Sequence, residues 1–258
     1  MSSGKTQFDF TDQTVVVTGG SRGIGRQICK AFAEAGARVF TCSRRTPETP
    51  FDSDRIECAS VDVRDPDATT SWLARCAEAS GGIDVLVNNA GGAPSVASAE
   101  ASPRLMNKIL ALNLNAPLIL STQVHQHMVD REHGGSIVNI VSISSQRPTP
   151  TGAAYGAAKA GLMNATTSLA VEWGPKIRVN CVVAGLVVTE LTGDHYGDDS
   201  TKDQIIEAIP ARRFASTEEI AHGVLFLAAR DSSYVSGAAL EVYGGGEWPP
   251  TIPRPASD

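Results

Sequence analysis

Short β-branched or apolar runs alternate with longer stretches of helical periodicity along the chain. Val15, Val16 and Val17 form the first run, and Ile28, Ala31, Phe32 and Ala35 then recur at helical spacing. Further runs stand at Arg38 to Cys42, Ile56 to Val61, Val85 to Asn88, Ser136 to Val141, Arg178 to Val183 and Ala239 to Val242. Continuous apolarity is what a parallel strand needs when both faces of its sheet are covered. Helices between the strands supply the crossovers that parallel pairing requires. The pattern therefore predicts a single α/β domain with a seven-stranded, mostly parallel, doubly wound sheet and helices on both faces.

Helix boundaries can be read from capping chemistry. Asp65-Pro66 supplies an N-cap and a first helical position for the segment carrying Trp72, Leu73 and Cys76. Ser216-Thr217-Glu218-Glu219 is a capping box ahead of Ile220, Val224, Leu225 and Leu227. A long helix is predicted from Ala153 to Trp173, after one near Ala116 to Arg131. Residues 1–247 read as the domain. Residues 248–258, with Pro249, Pro250, Pro253 and Pro255, read as a proline-rich tail outside the core.

Charge narrows the function classes. With 22 basic and 28 acidic residues in 258, the net charge of −6 argues against a general nucleic-acid or membrane-surface binder. Met1 to Gln13 lacks the apolar core of a signal peptide, and no apolar run approaches the ~20 residues that cross a bilayer. The expectation is a cytoplasmic protein. The five cysteines, Cys29, Cys42, Cys58, Cys76 and Cys181, form no C-x-x-C pair and read as reduced core fillers. His125 and His127 are two apart on a helix and face different ways, and His133, His195 and His222 have no ligand-spaced companions, so the expected chemistry is metal-free.

Candidate chemistry sits in two places. Tyr155 and Lys159 are four apart, thirteen residues after Ser142, so the phenol and the ammonium share one helix face. A free tyrosine has a pKa of about 10, and an adjacent cation lowers it by favouring the phenolate. A proton donor poised near a hydroxyl that can hold a carbonyl oxygen is what interconversion of a ketone and an alcohol requires. Taken alone, such a pair is more often a solvated edge contact. At the other place, the first strand runs into Thr18-Gly19-Gly20-Ser21-Arg22-Gly23-Ile24-Gly25 and then a helix. Strand, glycine turn and helix together make a phosphate cradle, because the backbone can approach a ligand closely and the helix start offers free N–H groups. The spacing of Gly19, Gly23 and Gly25 is longer than the G-x-G-x-x-G fingerprint.

Over nearly its whole length the chain resembles the short-chain dehydrogenase/reductase family. The resemblance rests on Thr18 to Gly25, on Asn88-Asn89-Ala90-Gly91 after the fourth strand, and on Asn113, Ser142, Tyr155 and Lys159 in order. It implies a Rossmann fold, a nicotinamide cofactor and those last four residues as the catalytic set. Tyr155 would exchange the proton and Ser142 hold the oxygen. Lys159 would lower the tyrosine pKa and bond the nicotinamide ribose, and Asn113 would steady a water chain.

Gly19, Ser21, Arg22, Ile24, Gly25, Asp62, Val63, Asn89, Ala90, Gly91, Tyr155, Lys159, Val187 and Thr189 match the family's cofactor contacts. After the second strand, where NAD-preferring members usually carry a carboxylate, stand Ser43, Arg44 and Arg45. Guanidinium groups pair with a 2′-phosphate and a carboxylate repels it, which favours NADP(H) over NAD(H).

Two positions depart from the family pattern. Ala184 replaces the usual proline, which removes a fixed φ and predicts a looser segment around Val187 and Thr189, and Tyr243 replaces the usual aspartate before Gly244.

The implied activity is hydride transfer between NADP(H) and a ketone or secondary alcohol. The glycine motif looks like that of acyl-carrier-protein reductases and so implies 3-oxoacyl thioesters; a steroid, quinone or polyketide alcohol is the alternative substrate. A cofactor-sensing scaffold and a sugar-nucleotide epimerase are the alternative functions. The loop after Gly91, the segment Thr192 to Ile209 and the tail are expected to set specificity. Family members commonly pair the helix at Ala153 and the one before it across a two-fold axis, and the final strand and its helix across a second, so a homotetramer is expected.

Overall fold

The computed structural model describes residues 8–45, 47–190 and 196–248. Its seven strands are β1 (Thr14–Thr18), β2 (Arg38–Ser43), β3 (Ile56–Ser60), β4 (Val85–Asn88), β5 (Gly135–Ser142), β6 (Ile177–Ala184) and β7 (Ala239–Val242). They form one sheet in the order β3-β2-β1-β4-β5-β6-β7, and every neighbouring pair is parallel. Among the described residues the α-helices are α1 (Gly23–Glu34), α2 (Pro66–Ser80), α3 (Pro103–Leu110), α4 (Ala116–Met128), α5 (Ala153–Trp173), α6 (Asp199–Ala208) and α7 (Thr217–Ala228). This is a single Rossmann-like α/β domain.

Alternation within β1 assigns the two faces. Val15 and Val17 pack with Ile28 and Phe32 of α1 and Val224 of α7. Val16 packs on the other face with Trp72 of α2, Leu120 of α4 and Ile137. The strand order reverses between β1 and β4, and such a switch point opens a crevice at the carboxyl ends of the strands, where open α/β sheets bind ligands.

Caps form as the residue types require. The Asp65 side chain accepts from the N–H groups of Asp67 and Ala68, and Ser216 and Glu219 make the reciprocal capping box of α7. The expected helix at Ala153 to Trp173 is present with those limits, whereas the helix expected to reach Arg131 ends at Met128. One π-helical turn, Ala111–Asn115, joins α3 to α4. Wide turns of this kind often mark functional sites, and local propensity gives no sign of them.

Two expectations need correction. Cys58 lies exposed on β3 and is not a core filler, because β3 is the edge of the sheet; the other four cysteines are buried. The segment after Ala184 is held without its proline: Val187 bridges to Ala215, Val188 N–H donates to Ala215 O at 2.9 Å, and Ala215 N–H donates to Leu186 O at 2.9 Å. At the end of the described chain, Trp248 N–H donates to Ala208 O at 2.8 Å, while the prolines that follow lie outside the described residues. So does His195. Among the described residues no helix is long and apolar enough to cross a membrane.

Candidate active site

Four side chains named from the sequence converge at the carboxyl ends of β4 and β5. Lys159 is buried on α5, and its Nζ donates to Ile140 O at 2.8 Å. β4 ends with Asn88 opposite Asn139, one residue before that carbonyl, so the ammonium bonds the strand where the ladder on this side has stopped. Asn113 sits in the π turn with no exposed surface. Its Oδ1 accepts from Gly92 N–H at 2.8 Å, and its Nδ2 donates to Gly92 O at 3.0 Å and Ile109 O at 2.9 Å. A Cβ on Gly91 would lie 2.9 Å from Asn113 Oδ1 and 3.2 Å from Lys159 Nζ, so both groups close on this one glycine. With both its N–H groups donating to backbone, Asn113 acts in this structure as a brace.

Tyr155 is half-buried one turn before Lys159, and Lys159 Nζ lies 5.8 Å from its ring centroid. Burial raises the tyrosine above its ordinary pKa; the neighbouring Ser142 hydroxyl pulls it down in part, and the charge of Tyr196 adds to the rise. The expectation of a phenol lowered by Lys159 is therefore not met: desolvation of the phenolate is the largest cause, and the only lowering influence is the Ser142 hydroxyl. Burial also pushes Lys159 down, to about 8. At neutral pH the pair is a protonated phenol beside a largely charged lysine. Ser142 ends β5 in extended backbone and also caps the following turn, accepting from Ser144 N–H at 3.2 Å.

The glycine turn is tied to β4 through Thr18. Its Oγ1 accepts from the N–H groups of Asn89 and Ala90, both at 3.0 Å, and Asn89 Nδ2 donates to Thr18 O at 2.9 Å and Gly19 O at 3.3 Å. Gly19 has φ +74°, and a Cβ there would come 2.9 Å from Ala90 Cα. At Gly25 a Cβ would come 2.3 Å from Asn89 Nδ2. Only glycine fits this junction.

Ser21 and Ile24 are half-buried in the turn and Arg22 is exposed at its end, as the N-cap residue of α1. That helix has no side-chain cap and no acidic residue in its first turn. Glu190 fills part of this gap from a distance, its Oε2 accepting from Gly23 N–H at 3.1 Å. Sequence reasoning missed Glu190, although its place directly after Thr189 was the available signal. Thr189 lies beside the same glycine, its Cγ2 3.6 Å from where a Cβ on Gly23 would stand.

Arg44 and Arg45 are exposed just past β2, and Ser60 Oγ donates to Arg44 O at 3.4 Å. Val63 is buried nearby. Asp62 is gripped by Arg64, whose Nε and terminal nitrogen donate at 2.9 and 2.5 Å, and this bond with help from Arg44 holds the carboxyl below its ordinary pKa. Arg64 was not anticipated; two residues from an acid in a loop, it shows no periodic pattern. Tyr196, also unanticipated, stacks on Phe214 with ring centroids 5.0 Å apart.

Comparison with known proteins shows the family. The family model for enoyl-(acyl carrier protein) reductase matches residues 19–247. The chain belongs to the short-chain dehydrogenase/reductase family. L-xylulose reductase of Caenorhabditis elegans is 36% identical over 245 residues, 92% of this chain and 97% of that protein. A 3-oxoacyl-[acyl-carrier-protein] reductase of Chlamydia muridarum is 35% identical over 245 residues, 92% of this chain and 98% of its own length. The ligand-free aldohexose dehydrogenase of Thermoplasma acidophilum superposes with a TM-score of 0.88 at 28% identity, covering 96% of this chain and all of that one. The chain is thus an oxidoreductase of a family that uses a nicotinamide cofactor and acts on alcohols and ketones.

Proposed function

We propose that this dehydrogenase/reductase transfers hydride between NADP(H) and a ketone or secondary alcohol, with Tyr155 exchanging the proton. The observation that carries this reading is the protonated, half-buried Tyr155 between the Ser142 hydroxyl and the buried Lys159, at the switch point of the sheet. The chain fits a nicotinamide dinucleotide. Gly19 and Gly25 leave a cradle that a Cβ would fill, and α1 opens without a side-chain cap. Gly19, Ser21, Arg22, Ile24 and Gly25 would hold the pyrophosphate, Asp62 and Val63 the adenine, Asn89 to Gly91 the adjoining ribose, and Val187 and Thr189 the nicotinamide end. When bound, the cofactor supplies or accepts the hydride.

The chain's own residues do the rest. Ser142 donates to the carbonyl oxygen and orients it. Tyr155 gives its proton to that oxygen as reduction proceeds, so negative charge does not build up there. Lys159 stabilises the resulting phenolate by its charge and would bond the nicotinamide ribose of a bound cofactor. Asn113 keeps Gly92 and the π turn in register and so fixes the floor beside Lys159.

Exposed Arg44 and Arg45, with no carboxylate among Ser43 to Arg45, support NADP(H) over NAD(H). Asp62 is neutralised by Arg64 and is a weak repellent of a 2′-phosphate. Arg44→Asp is expected to move the NADPH/NADH ratio of kcat/KM towards NADH by at least ~10-fold, the scale of exchanging a charge-assisted bond for repulsion. An unchanged ratio would identify Arg44 as a bystander.

Glu190 shares the cradle with the incoming anion. Glu190→Gln is expected to tighten NADPH binding about 2–5-fold in a fluorescence titration, since one charge at a helix start is worth ~0.3–1 kcal/mol. Weaker binding by the variant would show instead that the carboxylate helps to hold the cradle open.

Steady-state assays against a panel of ketones and secondary alcohols with both cofactors test the whole reading. The named substrates of the relatives, a ketose and a 3-oxoacyl thioester, share the carbonyl that these groups can serve, and both belong in the panel. We also read the protein as a cytoplasmic homotetramer. In support, Val171 near the end of α5 and Tyr234 after α7 are large apolar residues left exposed, and β7 is an open sheet edge. Light scattering at micromolar concentration tests the assembly.

A further inference from the structure

A cavity of about 250 Å³ opens between the ends of β6 and β7, residues 209–215 and the start of α7. Ile143, Gly185 and Leu186 are among its lining residues. Ile143 follows Ser142 and Gly185 follows Ala184, and Ser142 and Ala184 are register partners at the last rung between β5 and β6. The cavity therefore lies at the carboxyl ends of β5 and β6, next in the chain to the residue assigned to the carbonyl oxygen.

Part of its wall is charged, and the charges do not cancel. Arg213 is forked onto Glu219 at 2.7 and 2.6 Å, and Glu247 is bridged by Arg147 at 2.7 Å, so these four form two neutral pairs. Glu241 instead takes its hydrogen bonds from neutral groups, the Tyr243 hydroxyl at 2.5 Å and the Gln146 amide at 3.0 Å. Those two donors hold its carboxyl below the usual range, so it is ionised at neutral pH. An ionised carboxylate has about four acceptor sites, of which these bonds use two, and the Tyr243 oxygen also keeps acceptor capacity.

The charged part of the wall, set among apolar lining residues such as Leu186 and Ile209, carries one net negative charge, which favours O–H donors and repels anions. An apolar chain pressed against it would strip water from Glu241 without replacing the hydrogen bonds, which is costly. The volume lies below the roughly 300–1,000 Å³ of pockets for drug-sized ligands, so it suits a short molecule.

We propose that Glu241 and Tyr243 form a hydroxyl-binding subsite, and that the carbonyl substrate is a short, neutral, polyhydroxylated ketone with the matching polyol as its reduced form. This rests on the carbonyl-reductase reading above and adds the substrate class to it. Tyr243, which replaces the family's usual aspartate, supplies both the phenol that orients Glu241 and part of the cavity lining.

The test compares fructose, which offers hydroxyls, with diacetyl, which offers none, and with 5-ketogluconate, which adds a carboxylate, in NADPH-linked reduction. Wild-type protein is expected to prefer fructose to 5-ketogluconate. Glu241→Gln and Tyr243→Phe are expected to lower the fructose/diacetyl ratio of kcat/KM about 10-fold, the scale of one hydrogen bond to a charged group, with the loss in KM. A ratio within twofold of wild type in both variants overturns the subsite. So does wild-type turnover of diacetyl without fructose, or a preference for the ketoacid, and either of these leaves the reductase reading intact. Absence of turnover on every ketone with either cofactor overturns both readings.

Discussion

Tyr155→Phe is expected to lower turnover at least ~100-fold while leaving NADPH affinity within a fewfold of wild type. In the proposed mechanism the phenol proton goes to the reduced oxygen, and removing a positioned general acid usually costs ~10²–10⁴ in rate. Phenylalanine keeps the ring beside Lys159 and Ser142 and removes only the oxygen, so the fold should survive. Because burial holds the phenol above its ordinary pKa, Tyr155 keeps its proton through neutral pH in the free protein. Measured on the best ketone of the panel, near-normal kcat in the variant would sink the assignment of Tyr155.

Lys159→Met is expected to have two separable effects. Turnover should fall ~100-fold or more, because the charge that stabilises the phenolate is gone. Stability should change in a pH-dependent way. The folded pKa of about 8 lies below the ordinary 10.5, so between these values the unfolded chain binds more protons than the folded one. The cost of burying the ammonium is thus full below about pH 8 and is relieved as pH rises towards 10.5. Wild type should gain on the methionine variant over that interval by on the order of 3 kcal/mol. A domain of this size should show this as a relative Tm shift of several degrees. At pH 7 the variant also leaves Ile140 O without its donor, a loss of ~1–3 kcal/mol that partly offsets the benefit of losing the charge. Equal pH dependence of Tm in both proteins would show that Lys159 is not buried as a charge.

The paired prediction follows from one structural fact: Lys159, which the proposed mechanism needs charged, is buried where charge is costly. Free energy given up in stability is available as a strong local field, a trade common at functional sites.

Much of this was legible in the chain itself. The valine run of β1, Asp65-Pro66 and Ser216 to Glu219 each state a local rule, and the strands and caps form where those rules put them. The spacing of Tyr155 and Lys159 fixed their common helix face before any fold was known, and the glycines of Thr18 to Gly25 fixed a turn that tolerates no side chain at Gly19 or Gly25. These are short-range determinants, in which covalent geometry and helical or strand period do the selecting.

What only the tertiary structure decided depends on neighbours distant in sequence. The sign of the Tyr155 shift came from burial, which no i,i+4 pattern reports. The bracing of Asn113 required Gly92, twenty-one positions away, and a π turn that propensity does not announce. Glu190 meets Gly23 across 167 positions, and Glu241 meets Gln146 across 95. Desolvation and charge balance are properties of a closed space, and the order of the strands, more than the order of the residues, determines which side chains share one.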